Sequence, residues 1–142
     1  MEYRVSGHGV YHLQYHIVWV CKYRRRILRP GVTRYLEKVL HGLLRSMPGV
    51  QIETIGFDHD HLHMVMRIPP KYALASVMAQ LKSQSASILR KKFAWLSKVY
   101  WKENLVWSPG YFASSIGIDE ATIKRYVEYQ GRQDSGEQPV LL

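Results

Sequence analysis

The fold of this chain is read most directly from Asp58-His59-Asp60-His61-Leu62-His63-Met64-Val65-Met66. If the segment from His61 is a strand, alternation puts Leu62, Met64, Met66 and Ile68 on one face. His61, His63, Val65 and Arg67 then fall on the other. Asp58-His59-Asp60 is short and polar, so it reads as a turn that makes this strand antiparallel to the one before it. Pro69-Pro70 ends the strand. One face is therefore built for a core. The other carries two imidazoles two residues apart, just past a carboxylate, which is a pattern a metal ion can use.

Working outward, Val10 to Cys21 alternates Leu13, Tyr15, Ile17 and Trp19 against His12, Gln14, His16 and Val18, and predicts one continuous strand in a central position. It runs into Lys22-Tyr23-Arg24-Arg25-Arg26, which is either a solvated basic loop or an edge that meets phosphates, with Tyr23 stacking on a base. Pro30-Gly31 opens a helix with an apolar stripe at Val32, Tyr35, Leu36, Val39, Leu40, Leu43 and Leu44, stopped by Met47-Pro48-Gly49. Val50 to Phe57 predicts a second strand whose alternation slips at Thr54-Ile55-Gly56, so a bulge is expected near Gly56.

A second helix is expected from Ala73 to Phe93, with Leu74, Val77, Met78, Leu81, Ile88 and Leu89 inward and Lys82-Ser83-Gln84-Ser85 in its middle. Residues 94–109 form an aromatic connection with Trp95, Tyr100, Trp101 and Trp107. Tyr111 to Ile116 is a short strand, and Asp119 is a natural N-cap for a closing helix to about Gln130. The order strand, helix, strand, strand, helix, strand predicts an α+β domain of the ferredoxin-like or RRM-like split βαβ kind. That is a four-stranded antiparallel sheet with two helices on one face, plus an added C-terminal helix. Residues 1–130 make one domain, and 131–142 read as a polar, flexible tail.

Composition narrows the partner. With Lys+Arg 20 against Asp+Glu 11 the formal charge is +9, and a small basic domain suits a polyanion, nucleic acid first. One cysteine, Cys21, excludes a disulfide framework and a cysteine zinc site. No signal-peptide pattern and no apolar run of spanning length is present, so a cytoplasmic protein without membrane contact is expected.

The closing helix contributes Tyr126 and Gln130, four residues apart and so on one helix face. With His61 and His63, Gln130 would complete an N,N,O site with open positions, beside a tyrosine able to attack a phosphate. Arg125 or a nearby lysine would steady the developing charge.

Several stretches together resemble the small single-tyrosine HUH transposases of bacterial and archaeal insertion sequences. They are Tyr15-His16-Ile17-Val18-Trp19 with Lys22-Tyr23-Arg24, Asp60-His61-Leu62-His63, and Leu81-Lys82-Ser83 with Ser85-Ala86. To these are added Trp107-Ser108-Pro109-Gly110-Tyr111 and Lys124-Arg125-Tyr126-Val127-Glu128-Tyr129-Gln130. The resemblance spans roughly residues 11 to 130. It implies a homodimer that cuts and rejoins single-stranded DNA at element ends, binding hairpins there and using Mg²⁺ or Mn²⁺. It also implies Tyr126 as the nucleophile that forms a 5′-phosphotyrosine, and His61, His63 and Gln130 as metal ligands. Lys22, Tyr23, Arg24, Arg25, Lys82 and Arg125 are the expected DNA contacts.

Met64-Val65-Met66 and Ser114-Ser115-Ile116-Gly117 depart from the family's usual residues without touching the chemistry. Tyr129 adds a second hydroxyl, which helix geometry turns away from Gln130. A non-catalytic RRM-like binding module is the alternative, and it has no use for His61, His63, Tyr126 and Gln130 together. A domesticated relative that cuts extragenic hairpins would share the chemistry.

Overall fold

The computed structural model describes residues 4–6, 9–11 and 13–136, with side chains from residue 13 onward. The expected strand position at His12 and the end of the polar tail, 137–142, lie outside the described residues. In chain order the strands are β1 (Arg4–Ser6), β2 (Gly9–Tyr11), β3 (Gln14–Val20), β4 (Gln51–Phe57), β5 (His61–Arg67) and β6 (Phe112–Ser114). The helices are α1 (Pro30–Leu43), α2 (Leu74–Lys92), the short α3 (Leu96–Val99) and α4 (Glu120–Asp134).

The main sheet has the order β4-β5-β3-β6, every neighbouring pair antiparallel. That is the split βαβ arrangement, with β3 and β5 as the central strands. The first strand differs from its expected extent. Residues 9–11 belong instead to a separate two-stranded ribbon in which Arg4 faces Tyr11 and Ser6 faces Gly9.

Alternation along β5 sets the register. Leu62, Met64 and Met66 are fully buried with Ile17 and Trp19 of β3, against Leu36 and Leu40 of α1 and Met78, Leu81 and Leu89 of α2. Each such side chain contributes roughly 1.5–3 kcal/mol by leaving water. A slip of one residue would exchange them for His61, His63 and Val65, so the register is strongly specified. The expected bulge in β4 falls earlier than Gly56, between Ile52 and Thr54. Glu53 is the extra residue there, and its carboxylate accepts from Arg67 at 3.2 Å and from Gln14 at 2.9 Å.

The small residues of α2 have a packing reason. Ser85 is fully buried and its hydroxyl accepts from the Trp107 indole at 3.0 Å, while Trp107 meets Trp19 edge-on at 5.2 Å. Arg90 donates to the carbonyl of Leu105, tying the aromatic connection to the end of α2.

The closing helix runs to Asp134, four residues past its expected end. Its N-cap is Asp119, whose side chain accepts from the Thr122 amide at 2.8 Å. α4 lies on the sheet face opposite α1 and α2. There Tyr126 and Val127 pack on Val18 and Val20 in a second, smaller core.

Candidate active site on the open sheet face

β5 places His61 and His63 side by side on the face that α4 partly covers, opposite Val20 and Val18 of β3. Both rings are half-buried. They line a groove of about 1280 Å³, walled on one side by the Asp58–Asp60 turn and Tyr23, Arg24 and Arg26. Its other wall is α4, through Ile123, Lys124, Val127, Glu128 and Gly131. Gly56 faces His63 across the β4–β5 pair.

The histidines are prepared by their neighbours. His61 Nδ1 lies 2.8 Å from Asp60 Oδ1, and Arg24 Nε donates to Asp60 Oδ2 at 3.1 Å. Burial pushes the Asp60 carboxyl up, but the hydrogen bonds from His61 and Arg24 outweigh it and hold it below the usual carboxylate range. With Nδ1 engaged, Nε2 is the His61 nitrogen left for a ligand. Burial, and then the proximity of His16 and His61, lowers the pKa of His63 and favours its neutral, ligand-competent form.

Tyr126 and Gln130 are brought together, but not with the histidines. Their side chains are buried, and the tyrosine hydroxyl donates to Gln130 Oε1 at 3.2 Å. A Cβ on Gly110 would stand 3.1 Å from that oxygen and 3.5 Å from the hydroxyl, so the chain after Pro109 closes over the pair. Neither residue lines the histidine groove. The reason is helical: 123, 127 and 131 form one face, while 126 and 130 each lie about 100° round from 127 and 131. Burial, followed by the charges of Asp134 and Tyr129, drives the Tyr126 phenol far above its ordinary pKa. The Tyr129 ring packs beside Tyr126 in the small core, at 6.5 Å between centroids.

Asp134 sits at the centre of these contacts, in a stretch that the sequence alone reads as tail. Its carboxylate accepts from Gln130 Nε2, the Tyr23 backbone N–H and the Ser108 hydroxyl, and pairs with Lys22. Only the i,i+4 spacing to Gln130 hinted at this in the sequence. Tyr23 and Arg24 have φ of 59° and 51°, left-handed values that non-glycine residues seldom adopt. Asp134 and Asp60 hold the two residues there. Gly131 lets the Arg24 stem pass against α4, since a Cβ would run into its Cγ and Cδ.

Among the expected DNA contacts, Tyr23, Arg24, Arg25 and Arg125 are exposed, and Lys22 is turned to Asp134. Lys82 is used internally: its ammonium donates to the carbonyls of Ser108 at 2.6 Å and Gly110 at 2.5 Å. Burial lowers its pKa to about 8, against the opposing pull of Asp134. Lys82→Met is therefore expected to destabilise the fold by about 1–3 kcal/mol in a denaturant titration, because two carbonyls lose their donor. The unfolded chain holds this proton more tightly than the folded one between pH 8 and the ordinary lysine range. The lysine's contribution to stability should thus rise with pH across that window, and the Lys82→Met protein should lack the rise.

Fold and site together define a class: a single α+β domain whose reactive side chains sit on the open face of a four-stranded sheet and on one helix laid across it. The chain belongs to the IS200-like transposase family, whose profile, described as "Transposase IS200 like", matches residues 9–130. It is 33% identical over 133 residues to the transposase for insertion sequence element IS200 of Salmonella typhimurium, covering 93% of this chain and 86% of that one. It is 30% identical over 127 residues to the ISDra2 transposase TnpA of Deinococcus radiodurans, covering 88% and 89%. A crystal structure of a candidate transposase from Deinococcus radiodurans superposes with a TM-score of 0.78 at 25% identity, covering 89% of this chain and 97% of that one. The REP-associated tyrosine transposase bound to a REP hairpin shares the fold, with a TM-score of 0.53 at 15% identity, over 93% of this chain and 74% of that one. Membership makes this a transposase, of an enzyme class that cuts and transfers DNA. No helix among the described residues is long and apolar enough to cross a membrane.

Proposed function

We propose that this transposase cleaves and rejoins single-stranded DNA at the ends of an insertion sequence, with Tyr126 as nucleophile and a divalent metal, Mg²⁺ or Mn²⁺, held by His61, His63 and Gln130. The observation that carries the reading is two prepared imidazoles side by side in a charged groove, together with a tyrosine bonded to a carboxamide on α4. Among the described residues no three His, Cys, Asp or Glu side chains gather as a metal cluster, and in this reading the third donor is the carboxamide oxygen of Gln130. The donor set fits a metal: Asp60 fixes one imidazole and burial keeps the other neutral. A bound divalent cation would polarise the scissile phosphate.

The chain's own residues do the rest. The Tyr126 oxygen gives up its proton and attacks phosphorus, the P–O3′ bond breaks, and the leaving 3′ oxygen takes up a proton to become a free 3′-OH, so the proton count is unchanged. The 5′ phosphate stays on the tyrosine until a second 3′-OH attacks it and restores the strand. Arg125, Arg24 and Arg25 offer cations to the phosphates.

The site is completed between protomers of a homodimer, α4 of one bringing Tyr126 and Gln130 to the histidines of the other. Two observations support this reading. Neither residue of the pair lines the groove that holds its own histidines, and both side chains are buried. The link from β6 to α4 is also open, with Ile116 74% exposed. Hairpins at the element ends are the bound DNA, as a hairpin is in the REP-associated relative.

The test is a denaturing gel. Incubation with a hairpin-bearing single strand and Mg²⁺ should give a covalent protein–DNA band, EDTA should remove it, and Mn²⁺ should restore it. A band of equal intensity in EDTA would overturn the metal assignment.

A further inference from the structure

A carboxamide is an ambiguous ligand. Its oxygen can bind a hard cation and its nitrogen cannot, yet the two ends have nearly the same shape, so packing alone does not choose between them. We propose that Asp134 makes this choice for Gln130, as a positioning residue that captures the amide nitrogen and leaves Oε1 as the outward atom. The proposal rests on the reading of Gln130 as the oxygen ligand.

The Asp134 side chain is 1% exposed and has donors on both sides. Oδ1 accepts from Gln130 Nε2 at 3.1 Å, with Lys22 Nζ at 3.5 Å. Oδ2 accepts from the backbone N–H of Tyr23 at 3.0 Å and from the Ser108 hydroxyl. A carboxylate only accepts, so Gln130 meets it with its NH₂, and Oε1 is left to accept from Tyr126 at 3.2 Å. Asp134 and Gln130 are one helical turn apart on α4, so this bond lies within the helix. The contacts to Tyr23, Ser108 and Lys22 join α4 to other segments and fix the orientation of the carboxylate.

The arrangement makes a signed prediction for Asp134→Asn. The Tyr23 N–H is backbone and cannot turn, so the new side chain keeps its oxygen there and points its NH₂ at Gln130. Gln130 must then flip and present Nε2 outward. Asp134→Ala removes the constraint without imposing the wrong one. The asparagine variant should therefore be the worse of the two, although it is the smaller change in shape. Gln130→Glu has oxygen at both ends and should cancel the defect.

The experiment measures Mn²⁺ binding by electron paramagnetic resonance on the full chain carrying Tyr126→Phe, in complex with a hairpin-bearing single-stranded oligonucleotide. Thermal midpoint and oligonucleotide affinity are measured alongside. Asp134→Asn is expected to weaken Mn²⁺ binding about tenfold, Asp134→Ala less, and Gln130→Glu combined with Asp134→Asn no more than Gln130→Glu alone. An equal loss from Asp134→Asn in both Gln130 backgrounds, or a larger loss from Asp134→Ala, would make Asp134 a merely structural anchor and overturn the proposal. Unchanged Mn²⁺ binding in Gln130→Ala would overturn the ligand reading itself, a result distinct from either. Should Asp134→Asn lower the thermal midpoint sharply, the comparison with Asp134→Ala still decides, since a purely structural anchor loses more in the alanine variant.

Discussion

The Tyr126→Phe protein is expected to form no covalent adduct with single-stranded DNA, a loss of roughly 10⁴-fold or more in the cleavage step, as when a nucleophile is removed from other covalent enzymes. No other group substitutes for it. Tyr129 lies three residues on, its ring packed in the small core with Ile118, Ile123 and Phe112, and it does not share the Gln130 face. Tyr129→Phe should therefore cleave at close to the parental rate. The fold should hardly register Tyr126→Phe: the ring still packs on Phe112 at 5.5 Å, and only the hydroxyl bond to Gln130 is lost, costing about 1 kcal/mol. Adduct loss with an unchanged thermal midpoint is the signature of a nucleophile. Adduct surviving in Tyr126→Phe and vanishing in Tyr129→Phe would reassign the role.

His61→Ala and His63→Ala should each lower adduct formation by at least about 100-fold, since even the outer partners of metal ligands are commonly worth 10–100-fold. Oligonucleotide binding should survive, because affinity for DNA rests on phosphate and base contacts spread over the basic surface. Combined loss of binding and cleavage would mark the histidines as structural. The same variants test how the site is assembled. A heterodimer of one Tyr126→Phe protomer and one His63→Ala protomer has one complete site if α4 acts on the partner's histidines, and none if it acts on its own. Adduct on the His63→Ala protomer of that heterodimer is the expected result, and its absence would mean each chain uses its own tyrosine.

Much of this was legible in the chain because it depends on local periodicity. Leu62, Met64 and Met66 alternate with His61 and His63, so one strand declared both the buried face and the reactive one. Asp119 announced the start of α4 through its side-chain chemistry. The β1–β2 ribbon was not legible, since three-residue strands carry too little pattern to stand out from the Val10–Cys21 run. Lys82 looked like a phosphate contact in a polar stretch of helix. The turn at Ser108–Gly110, distant in sequence, claims its ammonium instead.

The sequence by itself determined the element order, the two faces of β5 and the presence of Tyr126 and Gln130 on one helix face, because all three follow from fixed repeats of two and 3.6 residues. Only the tertiary structure decided which face of α4 meets the sheet. Packing Val127 on Val18 and Val20 sets the rotation of the whole helix. That rotation buries Tyr126 with Gln130, away from the histidine groove, and brings Asp134 beside Lys22, Tyr23 and Ser108. No local pattern encodes those meetings, since each joins residues that only the docking of α4 brings together.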